Sequence, residues 1–377
     1  MNELTTFVGL DVHKKTISVA VAYDRGEPFS RGVIRNEPAE VAKLVEKLGA
    51  SNTVYAYEAG PCGYALYRQL HELGARCVVA APSKMERAPG DRVKTDRRDA
   101  LKLARQLQVG SLPTVWVPEP EDEALRDLTR ARQTAQQDLQ RLRNRLTKLV
   151  LRLGLQPPSG VQAWTVPYRA WLKDLKMPHP YQQIVFEDAL HAIAEAEARV
   201  DRLRKHVEAA AQSAPRAPLV QALMAMRGIG VITATTLVGE LGDISRFDDP
   251  RHLMGYSGLT PIEDSTGERV HRGHITHTGN AHLRHVLGEM AWNHPRPLKV
   301  GKKLQRQRKG QPQEIVQVAE RADTRLHRRY HRLVRKGKAP QEAATAIARE
   351  ALGFIWAIAR LAAGLPVPAP RPRPAAA

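Results

Sequence analysis

The sequence predicts a mixed α/β domain, then long helices, then a smaller and mostly helical domain. Three observations carry this. Strand and helix signals alternate up to Pro82, apolar residues then repeat in heptads from Leu125 to Leu153, and the remainder keeps helical spacing apart from one glycine-rich, basic stretch.

In the first domain, FVGLDV (Phe7 to Val12) is a short β-rich run, and TISVAVAYD (Thr16 to Asp24) is a second after the polar turn His13, Lys14, Lys15. A third run is expected near Gly32 to Arg35. VAKLVEKLG (Val41 to Gly49) has helical spacing and stops at a glycine. TVYAYEAG is a strand running into Gly60 and Pro61, Tyr64 to Leu73 is helical, and CVVAAP is a strand stopped by Pro82. Two strands joined by a tight turn, followed by strand, helix, strand, helix, strand, make a mixed sheet.

From Asp122 the pattern changes. Leu125, Leu128, Ala135, Leu139, Leu142, Leu146, Leu149 and Leu153 alternate steps of three and four, with Arg132 the one interruption, which reads as a coiled-coil helix ended by Pro157, Pro158 and Gly160. A second helical stretch, Gln182 to Gln212, carries Ile193, Ala196, Val200, Leu203 and Val207 in the same rhythm. The pair reads equally as a hairpin within one chain or as a dimerisation arm, because a heptad does not say whose helix it meets. The expected domains are 1–120 (α/β), 121–214 (coiled coil), 215–362 (C-terminal domain) and 363–377, a proline-rich tail with the composition of a disordered segment. Ala343 to Leu361 reads as an apolar helix packing back on the C-terminal domain.

Composition limits the partners. Lys and Arg number 58 against 39 Asp and Glu, giving a net charge of +19 and a pI of 10.2, so the expected partner is a polyanion, nucleic acid before membrane. No apolar stretch approaches the roughly 18 residues of a membrane span, and MNELTTFVGL has neither the basic start nor the apolar run of a signal peptide. Cys62 and Cys77 are too few for a disulfide framework or a zinc site, and a cytosolic, nucleoid-associated location is expected. Arg296 to Lys338 is dense in Lys, Arg and His and reads as a backbone-binding surface.

Four acids stand out. Asp11 ends the first strand, Glu58 ends a later one, and Asp96 and Asp99 lie three apart at the start of the helix KTDRRDALKLARQL, on one face. Singly, each has an ordinary use as a turn, strand-end or capping residue. Together, in so basic a chain, they suit phosphoryl transfer, where clustered carboxylates hold two hard cations about 4 Å apart, and Mg²⁺ prefers such oxygen ligands.

GLDVHKKTISVAV, YEAGPCGYALYRQL and KTDRRDALKLAR resemble the three blocks of the DEDD-type insertion-sequence transposases, and the likeness runs on through the coiled coil. It implies a ribonuclease H-like (RuvC-like) N-terminal domain whose metal-binding catalytic residues fall on Asp11, Glu58, Asp96 and Asp99. LMAMRGIGVITATTLVGEL resembles a helix-hairpin-helix, with Gly228 and Gly230 at the turn that aims backbone N–H groups at a phosphate. HLMGYSGLTPIEDSTGERVHRGHITHTGNAHLRHVLGEMAW resembles the family's C-terminal block, which places a nucleophilic serine at Ser265, with Ser257 the second choice. Arg269, Arg272 and Arg284 are candidates for the phosphate charge, whereas His271, His274 and His277 show no Ser-His-Asp order. The resemblance implies strand cleavage and rejoining through a phosphoserine linkage, Mg²⁺ as cofactor, donor and target DNA as partners, a guiding bridge RNA and a homo-oligomer, dimer or tetramer. Two alternatives stay open: a Holliday-junction resolvase-like nuclease using water, and a non-catalytic nucleic-acid-binding protein.

Overall fold

The computed structural model describes residues 6–85, 95–213, 216–266 and 269–368. The tail from residue 369 lies outside them. The chain divides into two compact units, Met1–Pro118 and Glu119–Ala377.

The first unit contains β1 (Thr6–Val12), β2 (Thr16–Tyr23), β3 (Phe29–Arg35), α1 (Pro38–Leu48), β4 (Thr53–Glu58), α2 (Ala65–Glu72), β5 (Arg76–Ala80), α3 (Asp96–Gln108) and the two-residue β6 (Thr114–Val115). The sheet order is β3-β2-β1-β4-β5-β6. β1, β2 and β3 pair antiparallel, β1, β4 and β5 parallel, and β6 antiparallel to β5. The expected mixed α/β sheet is therefore present.

The two faces of the sheet differ in side-chain size. Val8, Leu10, Val19, Val21, Tyr55 and Tyr57 share a core with Val41 and Leu44 of α1 and Leu66 and Leu70 of α2. Strand side chains alternate between faces, so Gly9, Ala20, Ala22 and Ala56 fall on the other side, where Ala20 and Ala22 pack with Ala100 and Ala104 of α3. The small residues bring α3 almost onto the strand backbone. A Cβ added at Gly9 would lie 2.5 Å from Ala104 N and 2.9 Å from Leu103 Cβ, and closer still to Ala100 O.

The second unit contains α4 (Pro120–Arg152), α5 (Val166–Asp174), α6 (Pro180–Ala210), α7 (Ala217–Met224), α8 (Val231–Leu241), α9 (Pro250–Ser257), the hairpin β7 (Pro261–Thr266) and β8 (Arg269–Ile275), α10 (Ala281–Ala291), α11 (Lys302–Arg308), α12 (Gln313–Arg335) and α13 (Pro340–Ala362). The heptad seam finds its partner within the chain. Leu139, Leu146 and Val150 of α4 pack with Phe186 and Ile193 of α6 and Tyr168 and Leu172 of α5. Glu197 of α6 closes the contact, accepting from Arg143 of α4 (2.5 Å) and Arg169 of α5 (2.7 Å); these bonds, Arg169 first, hold its carboxyl below the usual range.

The start of α4 turns to the C-terminal core instead. There Leu125 joins Leu237, Leu287, Leu326 and Ile355. Arg126 donates to Gly239 O (2.7 Å), and Arg130 makes a two-pronged pair with Glu240 (2.7 and 2.8 Å). Glu240 is fully buried. Burial alone would raise its pKa, but the Arg130 pair and a bond from Asn280 outweigh this and hold it low. Among the described residues no helix is long and apolar enough to cross a membrane.

Gly9→Ala is expected to cost about 1–3 kcal/mol, the range for overpacking a tight contact, because the two nearest of the three atoms in its way, Ala100 O and Ala104 N, are backbone. Urea unfolding of the two proteins measures this, and equal midpoints would show that α3 steps back freely.

Candidate metal centre and the small-domain hairpin

The alternation that puts Gly9 under α3 also puts Asp11 there, two residues on. In the parallel pairing of β1 with β4, Leu10 lies opposite Tyr57, so the next residues, Asp11 and Glu58, reach the same end of adjacent strands on the same face. Both are half-buried. Helix α3 starts at that end. Thr95 is its N-cap, accepting from Arg98 N through Oγ1; Asp96 is thus the first helical residue and its carboxylate is not used as the cap. Asp99 follows one turn later, half-buried.

The carboxylates converge. His13 Nε2 lies 3.4 Å from Asp11 Oδ2 and 3.4 Å from Asp96 Oδ2, and one ligand atom from each of the three side chains falls within 4.8 Å of the others. Asp11 is raised above the ordinary aspartate value, first by burial, then by the negative charges of Asp96 and Asp99, with His13 acting against them. Like charges held this close favour a cation between them, and hard carboxylate oxygens suit a divalent ion of the Mg²⁺ type. The side chains present therefore fit such an ion. His13 was not singled out by sequence reasoning; its one signal was its place two residues after Asp11, in the turn closed by His13 N donating to Thr16 O (2.8 Å).

In the second unit, Gly228 and Gly230 sit in the α7–α8 connection. Gly228 has φ 81°, and a Cβ there would press on Met290 O (2.9 Å) at the end of α10. Gly230 is the N-cap of α8, and no side chain caps the first turn, so the turn's N–H groups are not taken by a cap.

The glycine-rich block after α9 forms the hairpin root. Gly258 (φ 67°) and Gly279 (φ 123°) bring two backbone segments into contact, so that a Cβ on Gly258 would lie 2.5 Å from Thr278 O. Asn280 caps α10 by accepting from Leu283 N (3.0 Å), its own N–H donates to Tyr256 O (3.0 Å), and its amide donates to Glu240 (2.7 Å). Arg284 donates to Ser257 O (2.9 Å) and is partly buried.

Above this root β7 and β8 pair antiparallel, with Ser265 opposite Val270 and Thr266 opposite Arg269. The side chains of Ser265, Arg269, His271 and Arg272 lie outside the described residues; their backbones place them near the hairpin tip. Ser257 is different. It is fully buried, donates from Oγ to Met254 O (2.7 Å) and accepts from Leu259 N (3.2 Å). Both functions of its hydroxyl are spent on closing α9.

Comparison with known proteins bears on both regions. Residues 8–154 match the model of the DEDD transposases of the IS110 type, and residues 220–299 match the transposase IS116/IS110/IS902 family. The chain is 40% identical over 358 residues to a putative transposase, y4qE, of Sinorhizobium fredii, covering 94% of this chain and 88% of that one. It is 33% identical over 338 residues to the transposase for insertion sequence element IS1533 of Leptospira borgpetersenii, covering 88% and 97%. A probable family 20 transposase of Pseudomonas aeruginosa is 29% identical over 290 residues, covering 74% and 81%.

Ser257→Ala leaves two buried groups short of a partner. An expected loss of about 1–3 kcal/mol follows, read by thermal unfolding, with strand cleavage per folded molecule close to wild type. A folded Ser257→Ala protein with no cleavage would give Ser257 a chemical role.

Proposed function

As the chain belongs to the IS110 family of DEDD-type insertion-sequence transposases, enzymes that cut and rejoin DNA, we propose that Asp11, Glu58, Asp96 and Asp99 hold two Mg²⁺ ions and that Ser265 is the nucleophile. The convergence of Asp11 and Asp96 on one point, with the negative charge of Asp99 helping to raise the Asp11 pKa, is the single observation that supports the metal half. The place of Ser265 in the matched family block, together with the occupied hydroxyl of Ser257, supports the serine half.

Transesterification explains why a serine suits rejoining. The Ser265 oxygen forms one ester bond to the scissile phosphorus as a deoxyribose oxygen leaves with a proton, so the number of phosphodiester links is unchanged. A hydroxyl on another strand then reverses the exchange and releases the serine. No external energy source is needed. A serine hydroxyl is a weak nucleophile until its proton is taken or its oxygen polarised. Divalent ions, held by Asp11, Glu58, Asp96 and Asp99, would supply that polarisation and neutralise phosphate charge. On the protein side, β1, β4 and α3 fix the carboxylates before substrate arrives, which avoids reorganisation during reaction. The uncapped α8 turn after Gly230, with Arg269, Arg272 and Arg284, positions the DNA backbone. The +19 charge supports a polyanion partner, and the family resemblance adds to the DNA a guiding RNA that selects donor and target. Removing that RNA by exhaustive nuclease digestion should abolish recombination.

Alanine at Asp11, Glu58, Asp96 or Asp99 should lower strand cleavage by roughly a hundredfold or more, the scale of losing one charge-stabilising group, with the circular-dichroism spectrum retained. Normal cleavage by Asp96→Ala in Mg²⁺ would remove Asp96 from the site.

Ser265→Ala should keep DNA binding and lose both cleavage and rejoining, whereas Thr266→Ala is mild. Denaturation and proteolysis of the wild-type reaction should release a DNA-linked peptide containing Ser265 by mass spectrometry. Cleavage that survives in Ser265→Ala with no linked peptide would point to water as nucleophile, the resolvase chemistry.

A further inference from the structure

The second unit has a cleft of about 1520 Å³ between α12 and α13, with α9 at one side. That exceeds the ~300–1,000 Å³ of a typical small-ligand pocket and suits a length of polymer. Its two walls differ in chemistry. On α12, Arg321, Arg325, Arg328 and Arg332 recur at steps of four, three and four, so they share one face over about 16 Å; all four line the cleft and are exposed. Arg325 and the half-buried Arg329 share Glu350 (2.6 Å each). Arg321, Arg328 and Arg332 have no carboxylate partner among the described residues. On α13 the wall is apolar: Phe354, Ala357 and Leu361 are half-buried, and Met254 of α9 continues it. Trp356 is fixed at the floor by donating from Nε1 to Phe247 O (2.7 Å). Gly353 sits mid-helix beside them, where an alanine is the better helix former by about 0.5–1 kcal/mol. A Cβ there would meet only Met254 Cε, at 3.7 Å, so the glycine keeps the groove open rather than relieving a clash.

We propose that this groove binds a single-stranded polynucleotide, phosphates along the Arg321–Arg332 edge and unpaired bases against Phe354 and its apolar neighbours. A cationic edge beside an aromatic floor is what unpaired strands require, since their bases need a surface to stack on and their phosphates need countercharge. A duplex keeps its base faces inside and offers phosphates alone, so it leaves the apolar wall uncovered. An acidic peptide answers the charge, but it gains nothing specific from a flat aromatic face. The inference does not depend on the metal or serine assignments, and its test measures binding rather than cleavage.

The test uses the full chain and fluorescence anisotropy with labelled oligodeoxythymidine and oligouridine of about 15 nucleotides, within the site sizes of such grooves, and a duplex of equal charge. Arg321→Ala/Arg328→Ala/Arg332→Ala should flatten the salt dependence of single-strand binding by roughly 2 in log–log slope, as for three lost phosphate contacts. Phe354→Ala should weaken single strands between about five- and a hundredfold and leave duplex affinity unchanged. Gly353→Trp fills the groove from the same apolar wall by adding bulk rather than removing it and should do the same, so a folding defect in one variant does not decide the outcome. The tighter of the two strands identifies the sugar. Single-strand affinity unchanged in both Phe354→Ala and Gly353→Trp would overturn the proposal, as would equal losses for duplex. A polyglutamate peptide that binds more tightly than either strand would reassign the groove to a protein.

Discussion

The close approach of α3 to β1 at Gly9 is the constraint on which the metal centre depends. Carboxylates borne by a strand and by a helix meet only if the two backbones lie nearly in contact, because an aspartate side chain is short. The sheet achieves this by placing Gly9, Ala20, Ala22 and Ala56 on one face and Val8, Leu10, Val19, Tyr55 and Tyr57 on the other. The bulky face makes the core that stabilises the unit through burial. The small face gives up some of that burial and lets the Asp11 and Asp96 carboxylates reach one point.

A different device orders the second unit. Glu240 is a buried charge, and burying one without partners is costly. Here its two oxygens take Arg130 from α4 and Asn280 from the start of α10, while its carbonyl accepts from Arg126 and from the Tyr256 hydroxyl. Through this one residue, side chain and carbonyl together, its own helix α8 is joined to α4, α9 and α10. The Gly-Asn-x-x-Leu-Arg run that carries the family likeness acquires a structural reading: Gly279 permits the backbone crossing, Asn280 caps α10 and reaches Glu240, Leu283 enters the core, and Arg284 holds the carbonyl of Ser257. These residues set the root from which the Ser265 hairpin rises.

Much of this was legible in the sequence. The order of strands and helices as far as α3, the positions of the four acids at strand ends and a helix start, and the helices of the second unit follow from period-two and period-3.6 patterning, which is local information. What escaped it was non-local. The heptad in α4 gave the seam without its partner, and in the fold α6 fills it. The short α5 and the two-residue β6 carry too few residues for a pattern. His13 looked like a turn residue because its proximity to Asp96 arises across 82 intervening positions. Arg126, Arg130 and Glu240 carry no signal in the sequence, since only the packing of α4 against α8 shows that they meet in the interior.

Helix α4 has 33 residues, about 50 Å at 1.5 Å per residue, and it serves two cores that share no side chain: Leu125 belongs to one, Leu139 to Val150 to the other. Such a helix is a strut. A turn inserted or deleted between Arg130 and Leu139 would rotate and slide one core against the other by a fixed screw, whereas material spliced beyond the far end, in the largely exposed stretch from Gln156 to Gly160, would be carried outward without disturbing the C-terminal core. Evolution and protein engineering thus meet opposite tolerances along one element: its middle is held to a fixed length and phase, and its distal loop is open to the addition of whole modules.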